Sequence, residues 1–150
     1  MFRGVTHLNL DAKGRMAMPH RYRDGLMQTC EGHLIVTVDR DGCLLVYPLP
    51  EWERIEQALM SRPNVDRRVR RLQRLLVGHA TECDLDVQGR ILLPTPLREY
   101  AGLEKRVVLV GQGNKFELWD DDTWVRRRDE WFREEGEEGE PGEGLDTLTL

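Results

Sequence analysis

Long apolar runs, cysteine and lysine are all scarce in this chain of 150 residues. No stretch approaches the ~18 consecutive apolar residues that a membrane-spanning helix needs. The opening Met1-Phe-Arg-Gly-Val-Thr-His-Leu has no basic-then-apolar leader pattern, so a cytosolic location is expected. Cys30, Cys43 and Cys83 are odd in number and show no CxxC or Cys/His ligand spacing, which argues against a disulfide framework and against structural zinc. Reduced, packed thiols are expected, with neither a metal nor a cofactor. His7, His20, His33 and His79 show no ligand spacing with cysteine or carboxylate either. Catalytic signatures are also missing: there is no P-loop, no Gly-x-Ser-x-Gly and no His-Glu-x-x-His. Gly111-Gln112-Gly113 is a lone Gly-x-Gly without the third glycine or the following helix. An enzyme with a small-molecule substrate is therefore not expected.

Positive charge looks scarce too, because the formal net charge is −5. Its distribution changes the reading. Seven acids and no bases follow from Glu134 onward, so residues 1–133 carry +2. The first 30 residues hold five bases (Arg3, Lys13, Arg15, Arg21, Arg23) against Asp11 and Asp24. This is a mildly basic body with an acidic, Gly- and Glu-rich tail over residues 134–150, too polar to pack and expected to be disordered.

What the chain does have is an internal repeat. Leu10-Asp-Ala-Lys-Gly-Arg-Met-Ala-Met-Pro19 recurs 75 residues later as Leu85-Asp-Val-Gln-Gly-Arg-Ile-Leu-Leu-Pro94. The parallel continues through Arg23 and Arg98, then the apolar runs Leu34–Val38 and Val107–Val110, each followed by a Gly-containing turn. It ends with Leu44–Tyr47 against Phe116–Trp119, and with Trp52 against Trp124.

Each copy reads as strand, turn, strand, short helical or coil segment, strand, turn, strand, helix. In Asp-x-x-Gly-Arg the glycine supplies the positive φ of a tight turn, and the aspartate accepts backbone N–H groups across it. Pro19 and Pro94 end the second strand because proline donates nothing to a ladder. Proline and acid after Tyr47 open a helix carrying Trp52, Ile55 and Leu59 on one face, and Asp120-Asp-Asp-Thr opens its counterpart. Val69, Leu72 and Leu76 at helical spacing predict a linking helix, studded with Arg67, Arg68, Arg70, Arg71 and Arg74. The expected organisation is repeat 1 over residues 1–62, the linking helix over 63–79, repeat 2 over 80–133, and the tail. Trp52, Trp119, Trp124 and Trp131 are expected to pack rather than to stack on bases.

Two Leu-Asp-x-x-Gly-Arg elements, each followed by an apolar hairpin and a Trp-bearing helix, closely resemble the bacterial MraZ proteins over residues 1 to 133. A single Asp-x-x-Gly-Arg would be weak support, but its duplication in register with the flanking strands is specific. The resemblance implies an α+β, mainly β fold of two AbrB-like swapped-hairpin units forming a pseudo-dimer within one chain, and assembly of chains into a homo-oligomeric ring. It also implies a cytoplasmic, nucleoid-associated regulator that binds double-stranded DNA at repeated G-rich boxes upstream of its own division and cell wall gene cluster.

Arginine and guanine match chemically, since guanine O6 and N7 accept two guanidinium hydrogen bonds at once. Arg15 is the expected base reader or principal anchor, Lys13 a point charge on phosphate, and Arg90, Arg3, Arg21 and Arg23 further DNA contacts. His20 joins them as a residue to test. Asp11, Gly14, Asp86 and Gly89 are expected to hold the turns and orient the arginines, because an acid repels phosphate. Copy two offers only Gln88, Thr95 and Leu97 around its turn, with Arg98 the sole basic companion expected beside Arg90. Two other readings stand beside this one. The Asp/Arg pairs serve equally well as ion pairs that merely tie strands together. A protein-interaction or antitoxin-like module would dock its tail on a partner, although antitoxin versions of this fold usually carry one hairpin unit per chain.

Overall fold

The computed structural model describes residues 1–137, 144–145 and 147–149. Repeat 1 supplies strands β1 (Phe2–Asn9), β2 (Arg15–Ala17), β3 (Leu34–Val38) and β4 (Leu44–Pro48), with helices α1 (His20–Cys30) and α2 (Leu49–Met60). A connector follows, made of α3 (Arg67–Leu72) and a π-helical turn, Gln73–Val77. Repeat 2 supplies β5 (Thr81–Glu82), β6 (Arg90–Leu92), α4 (Thr95–Tyr100), β7 (Arg106–Gly113), β8 (Phe116–Asp120) and α5 (Asp121–Glu137).

The repeats exchange strands. Six of them form an antiparallel sheet in the order β1-β7-β8-β4-β3-β5, which reads the same from either edge once the two repeats are interchanged. β1 of the first repeat pairs with β7 of the second over eight residues, and β5 of the second pairs with β3 of the first. The remaining two strands, β2 and β6, pair only with each other. This is the expected sheet-centred α+β fold of two swapped-hairpin units.

Packing follows from the period-2 alternation of the strands. Leu34, Val36, Leu44, Val46, Val107, Leu109, Phe116 and Leu118 face one side of the sheet. Against them pack Met16 and Ile91 from the small ribbon, Met18, Leu93, and Leu26 and Leu97 from α1 and α4. The alternate residues face the other side. Ile35, Leu45 and Tyr47 are covered by Trp52 with Leu76 and Val77, and Val108, Val110 and Trp119 by Trp124 and Trp131 of α5. Buried on both faces, β3 and β4 read as continuous apolar runs. All four tryptophans pack as expected, and the three cysteines are free and buried.

The two halves are not equal at the sheet edges. β5 is two residues long where β1 has eight, and the connector that precedes β5 packs Leu76 and Val77 against the sheet. Thr37 Oγ1 donates to Leu76 O at 2.6 Å and ties the π-helical turn to β3. One boundary expected from composition needs correction. α5 continues to Glu137, so residues 134–137 are helical rather than part of a disordered tail. Residues 138–143, 146 and 150, also assigned to that tail, lie outside the described residues. Among the described residues no helix is long and apolar enough to cross a membrane.

Where β5 is short, a side-chain pair extends the link. Asp84 accepts from His33 Nδ1 at 3.0 Å and from Leu34 N at 3.2 Å. The Asp84 hydrogen bond, then its charge, with Glu31 and Glu82 adding to it, raises the His33 pKa above its ordinary 6.5. A raised folded-state pKa contributes stability that is complete below the unfolded value and is lost as pH rises through the folded one. The melting-temperature advantage of the wild-type protein over His33→Gln is therefore expected to be larger at about pH 5.5 than at about pH 8.5. An advantage that is equal at both, measured by thermal denaturation, would sink the role given to the pair.

Candidate nucleic-acid interface

The chain between β1 and β2 is closed by one aspartate. Asp11 Oδ1 accepts the backbone N–H of Lys13 at 2.9 Å and of Arg15 at 2.8 Å, while its own carbonyl accepts Gly14 N–H at 3.0 Å. Gly14 adopts φ +86°, a conformation that L side chains resist. Asp11 Oδ2 then takes the Arg15 guanidinium through Nε at 2.6 Å. The second turn is built alike, with Asp86 accepting from Gln88 and Arg90 at 2.8 and 2.9 Å and Gly89 at φ +75°. There the Arg90 Nε to Asp86 Oδ2 distance is longer, at 3.3 Å. The Arg15 backbone N–H, helped by the Arg15 guanidinium and the Lys13 N–H, holds the Asp11 carboxyl down at about 2. The Arg90 backbone N–H leads the same downward shift at Asp86. Both acids are thus fully ionised at neutral pH, and each fixes an arginine at its Nε edge.

Pairing of β2 with β6 brings the two turns together. Arg15 lies opposite Leu92 and Arg90 opposite Ala17, while Met16 and Ile91 face inward. Arg15, Ala17, Arg90 and Leu92 therefore share one outward face, with the arginines at diagonal positions about 7–8 Å apart. Neither arginine hydrogen-bonds through its Nη groups to any described residue, and their side chains are 30% and 31% exposed. Lys13 is exposed within the first turn, where Gln88 stands in the second. A two-stranded ribbon with two guanidinium edges on its open face matches the dimensions of a DNA major groove.

The other expected contacts are spread out. Arg3 is exposed on β1 opposite Gln112, six residues before Asn9 and so about 20 Å along the strand. Arg21 donates through Nη2 to Thr6 Oγ1 and covers the Tyr22 ring at 4.6 Å, which places it along β1 too. His20 is exposed at the start of α1. Arg23 is partly buried and turns inward, donating through Nε to Met18 O at 2.6 Å. Arg98, expected beside Arg90, instead sits on the first turn: a Cβ at Gly14 would lie 2.6 Å from its Nε. Arg23 is placed likewise on Gly89, at 2.5 Å. Spacing gave no sign of this crossing, because strand exchange decides it. The basic helix lies elsewhere. Arg67, Arg70, Arg71 and Arg74 line a groove with Leu75, and the adjoining Leu76 and Val77 pack on the sheet face opposite the ribbon.

One cluster was not anticipated. Asp39, Cys43 and Glu117 bring their ligand-type atoms within 4.8 Å of one another, drawn together by the β3–β4 turn and the neighbouring β8. Burial, then the Glu117 and Asp39 carboxylates, push the Cys43 thiol far up. It points its proton to Asp39 Oδ2 at 3.7 Å, and Trp119 Nε1 donates to Glu117 at 3.0 Å. A hydrogen-bonded polar cluster accounts for these atoms.

Two related halves that exchange strands and present paired Asp-x-x-Gly-Arg turns on one ribbon define a tandem swapped-hairpin protein of AbrB type. The chain belongs to the MraZ family, whose profile, described as "MraZ protein, putative antitoxin-like", matches residues 1–75 and again 76–138. It is 79% identical over 150 residues to the transcriptional regulator MraZ of Thioalkalivibrio sulfidiphilus, covering both chains in full. It is 56% identical over 151 residues to that of Alkalilimnicola ehrlichii, and 53% over 152 residues to that of Klebsiella pneumoniae, with both chains again covered in full. These relatives are named for the regulation of transcription and not for catalysis.

Asp11→Ala is expected to speed amide hydrogen exchange at Lys13 and Arg15 while Gln88 and Arg90 in the same sample keep their rates. Unchanged protection at residues 13 and 15, read by NMR, would show that Asp11 is not what closes the turn.

Proposed function

We propose that this protein is a DNA-binding transcriptional regulator that reads duplex DNA with the open face of the β2–β6 ribbon. The observation that carries the reading is the pair of guanidiniums on one exposed face, each held at Nε by an ionised aspartate and open at Nη. Relatives named as transcriptional regulators over the full chain length support it. Arg15 is the principal base reader, donating from its free Nη edge to guanine, and Lys13 contacts phosphate. Arg90 is the second reader, and Arg3 and Arg21 approach the flanking backbone. Arg23, bound inward to Met18 O, is better suited to support than to contact.

Several chains assemble as a ring, so that identical ribbons meet repeated G-rich boxes upstream of the protein's own division and cell wall gene cluster. Weak single contacts then combine, because a tethered second site gains avidity of about 10²- to 10⁴-fold. The working place of such a protein is the cytoplasm, on the nucleoid. The parts of the chain divide as a first repeat over residues 1–62, a connector over 63–79 and a second repeat from residue 80.

One observation favours a second reading. Phe132 is 73% exposed near the acidic end of α5, where an antitoxin-like partner contact would lie. Truncation after Trp131, which removes Phe132 and the acidic residues beyond it, counts against that contact as the main role if DNA binding stays intact.

Arg15→Ala removes one bidentate guanine contact per chain, about 1–3 kcal/mol of discrimination or roughly 5- to 150-fold in affinity. Fluorescence anisotropy on a duplex from upstream of the gene, against a shuffled duplex, is expected to register that loss while the oligomer stays intact. Equal binding by wild type and mutant would remove Arg15 from the interface.

A further inference from the structure

The two glycine turns are each capped by an arginine from the other repeat. A Cβ built on Gly14 would lie 2.6, 2.7 and 3.1 Å from Nε, Cζ and Cδ of Arg98, and one on Gly89 would lie 2.5 to 2.7 Å from the same atoms of Arg23. Residues 23 and 98 are equivalent positions of the repeat, 75 apart, as are Gly14 and Gly89. The guanidinium therefore occupies space that only a glycine leaves open, and it does so across the pseudo-dimer.

Hydrogen bonds close the contact into a ring. Leu93 N donates to Gly14 O at 3.0 Å, Leu93 O accepts from Arg98 Nε at 3.0 Å, and the Arg98 guanidinium returns to cover Gly14. The reciprocal ring runs through Met18 N to Gly89 O at 2.9 Å and Arg23 Nε to Met18 O at 2.6 Å. Gly14 directly precedes Arg15. Fixing the Gly14 peptide fixes the Cα position from which the Arg15 side chain departs, just as Asp11 fixes its guanidinium.

The two rings are unequal. Arg98 also donates through Nη2 to Thr95 Oγ1 at 2.9 Å, whereas the equivalent of Thr95 is His20, which takes no bond from Arg23. The arginine with two anchors covers the turn whose Asp–Arg pair is closer, 2.6 Å against 3.3 Å.

We propose that Arg98 is a positioning residue for DNA readout: held by Leu93 O and Thr95 in the second repeat, it braces the Gly14 turn and pre-orients Arg15 in the first. This rests on the reading of Arg15 as a base contact. It gives the second repeat a function beyond completing the sheet, since its better-anchored arginine prepares the first repeat's reader. Arg23 braces the second turn in the same way, with one anchor fewer. Lysine is no substitute at position 98, because its point charge lacks the planar Nε/Nη fork that reaches both acceptors while lying against the glycine.

The test compares wild type, Arg98→Ala, Arg98→Lys, Arg23→Ala and Arg15→Ala by anisotropy on the gene's own upstream duplex across a salt series. NMR of the Arg15 Nε–H in the free protein, where Asp11 shields it, gives the second readout. Arg98→Ala and Arg98→Lys are expected to weaken binding about tenfold, the scale typical of supporting contacts around a functional group. The slope of log affinity against log salt should stay unchanged and the Arg15 Nε–H should exchange faster. Arg23→Ala should do less.

Three outcomes overturn the proposal. Wild-type affinity in Arg98→Ala removes the brace. Restoration by Arg98→Lys, or a slope shallower by about 0.9, makes Arg98 a phosphate contact instead. An unchanged Arg15 Nε–H exchange rate in Arg98→Lys removes the mechanical link, and this readout stands even if Arg98→Ala does not fold. Failure of the underlying reading looks different: Arg15→Ala would then bind like wild type while the Nε–H still responded to position 98.

Discussion

Everything in this molecule depends on the exchange of strands between its two repeats. A unit of about 50 residues is marginal as an independent core. Here each unit leaves its first strand to be paired by the other, β1 on β7 and β5 on β3, and among the described residues neither β2 nor β6 has any partner but its counterpart. Separating the repeats would strand Met16 and Ile91, both fully buried, along with the backbone groups of the ribbon. The site inherits this dependence, because the face that carries Arg15 and Arg90 does not exist until the two halves close. Joining them in one chain makes that closure independent of protein concentration.

Much of this was legible in the residues, for identifiable reasons. Duplicated Leu-Asp-x-x-Gly-Arg elements fixed where the turns fall, since glycine and aspartate each have a local conformational duty there. The apolar runs Leu34–Val38 and Leu44–Tyr47 marked strands buried on both faces. What Arg23 and Arg98 pack against was not legible, because their partners are set by strand crossing and a linear pattern carries no signal for which repeat's glycine an arginine will meet. The polar cluster of Asp39, Cys43 and Glu117 escaped for the same reason: Glu117 is brought to the first two only by the pairing of β4 with β8. Composition alone set the tail boundary too early, because Glu134 to Glu137 extend a helix whose start is anchored by Trp124 packing on the sheet.

The copies have the same plan and different strength. Hydrogen bonds that follow from backbone geometry are matched almost one for one, as in Leu10 N to Lys105 O and Leu85 N to Gly32 O. The differences lie where side chains decide: the Asp11–Arg15 distance, the Thr95 anchor, the long β1 against the short β5. A duplicated unit is free to diverge in its side chains in this way while both copies keep one backbone plan.

The acid beside each arginine looks costly for a protein that approaches phosphate, yet it follows from what specificity requires. Affinity for any DNA grows with the number of phosphates neutralised, and this term is blind to sequence. Residues 1–133, at net +2 and with Arg15 and Arg90 paired to ionised aspartates, gain little from it. What remains is the directional part: a guanidinium held at Nε is restrained, so its Nη edge suits guanine O6 and N7 and suits other bases poorly. Discrimination is raised by suppressing the non-specific competitor as much as by improving the specific contact. On the proposed reading such a site binds weakly when alone, and repetition of both site and box would restore the affinity that charge does not supply.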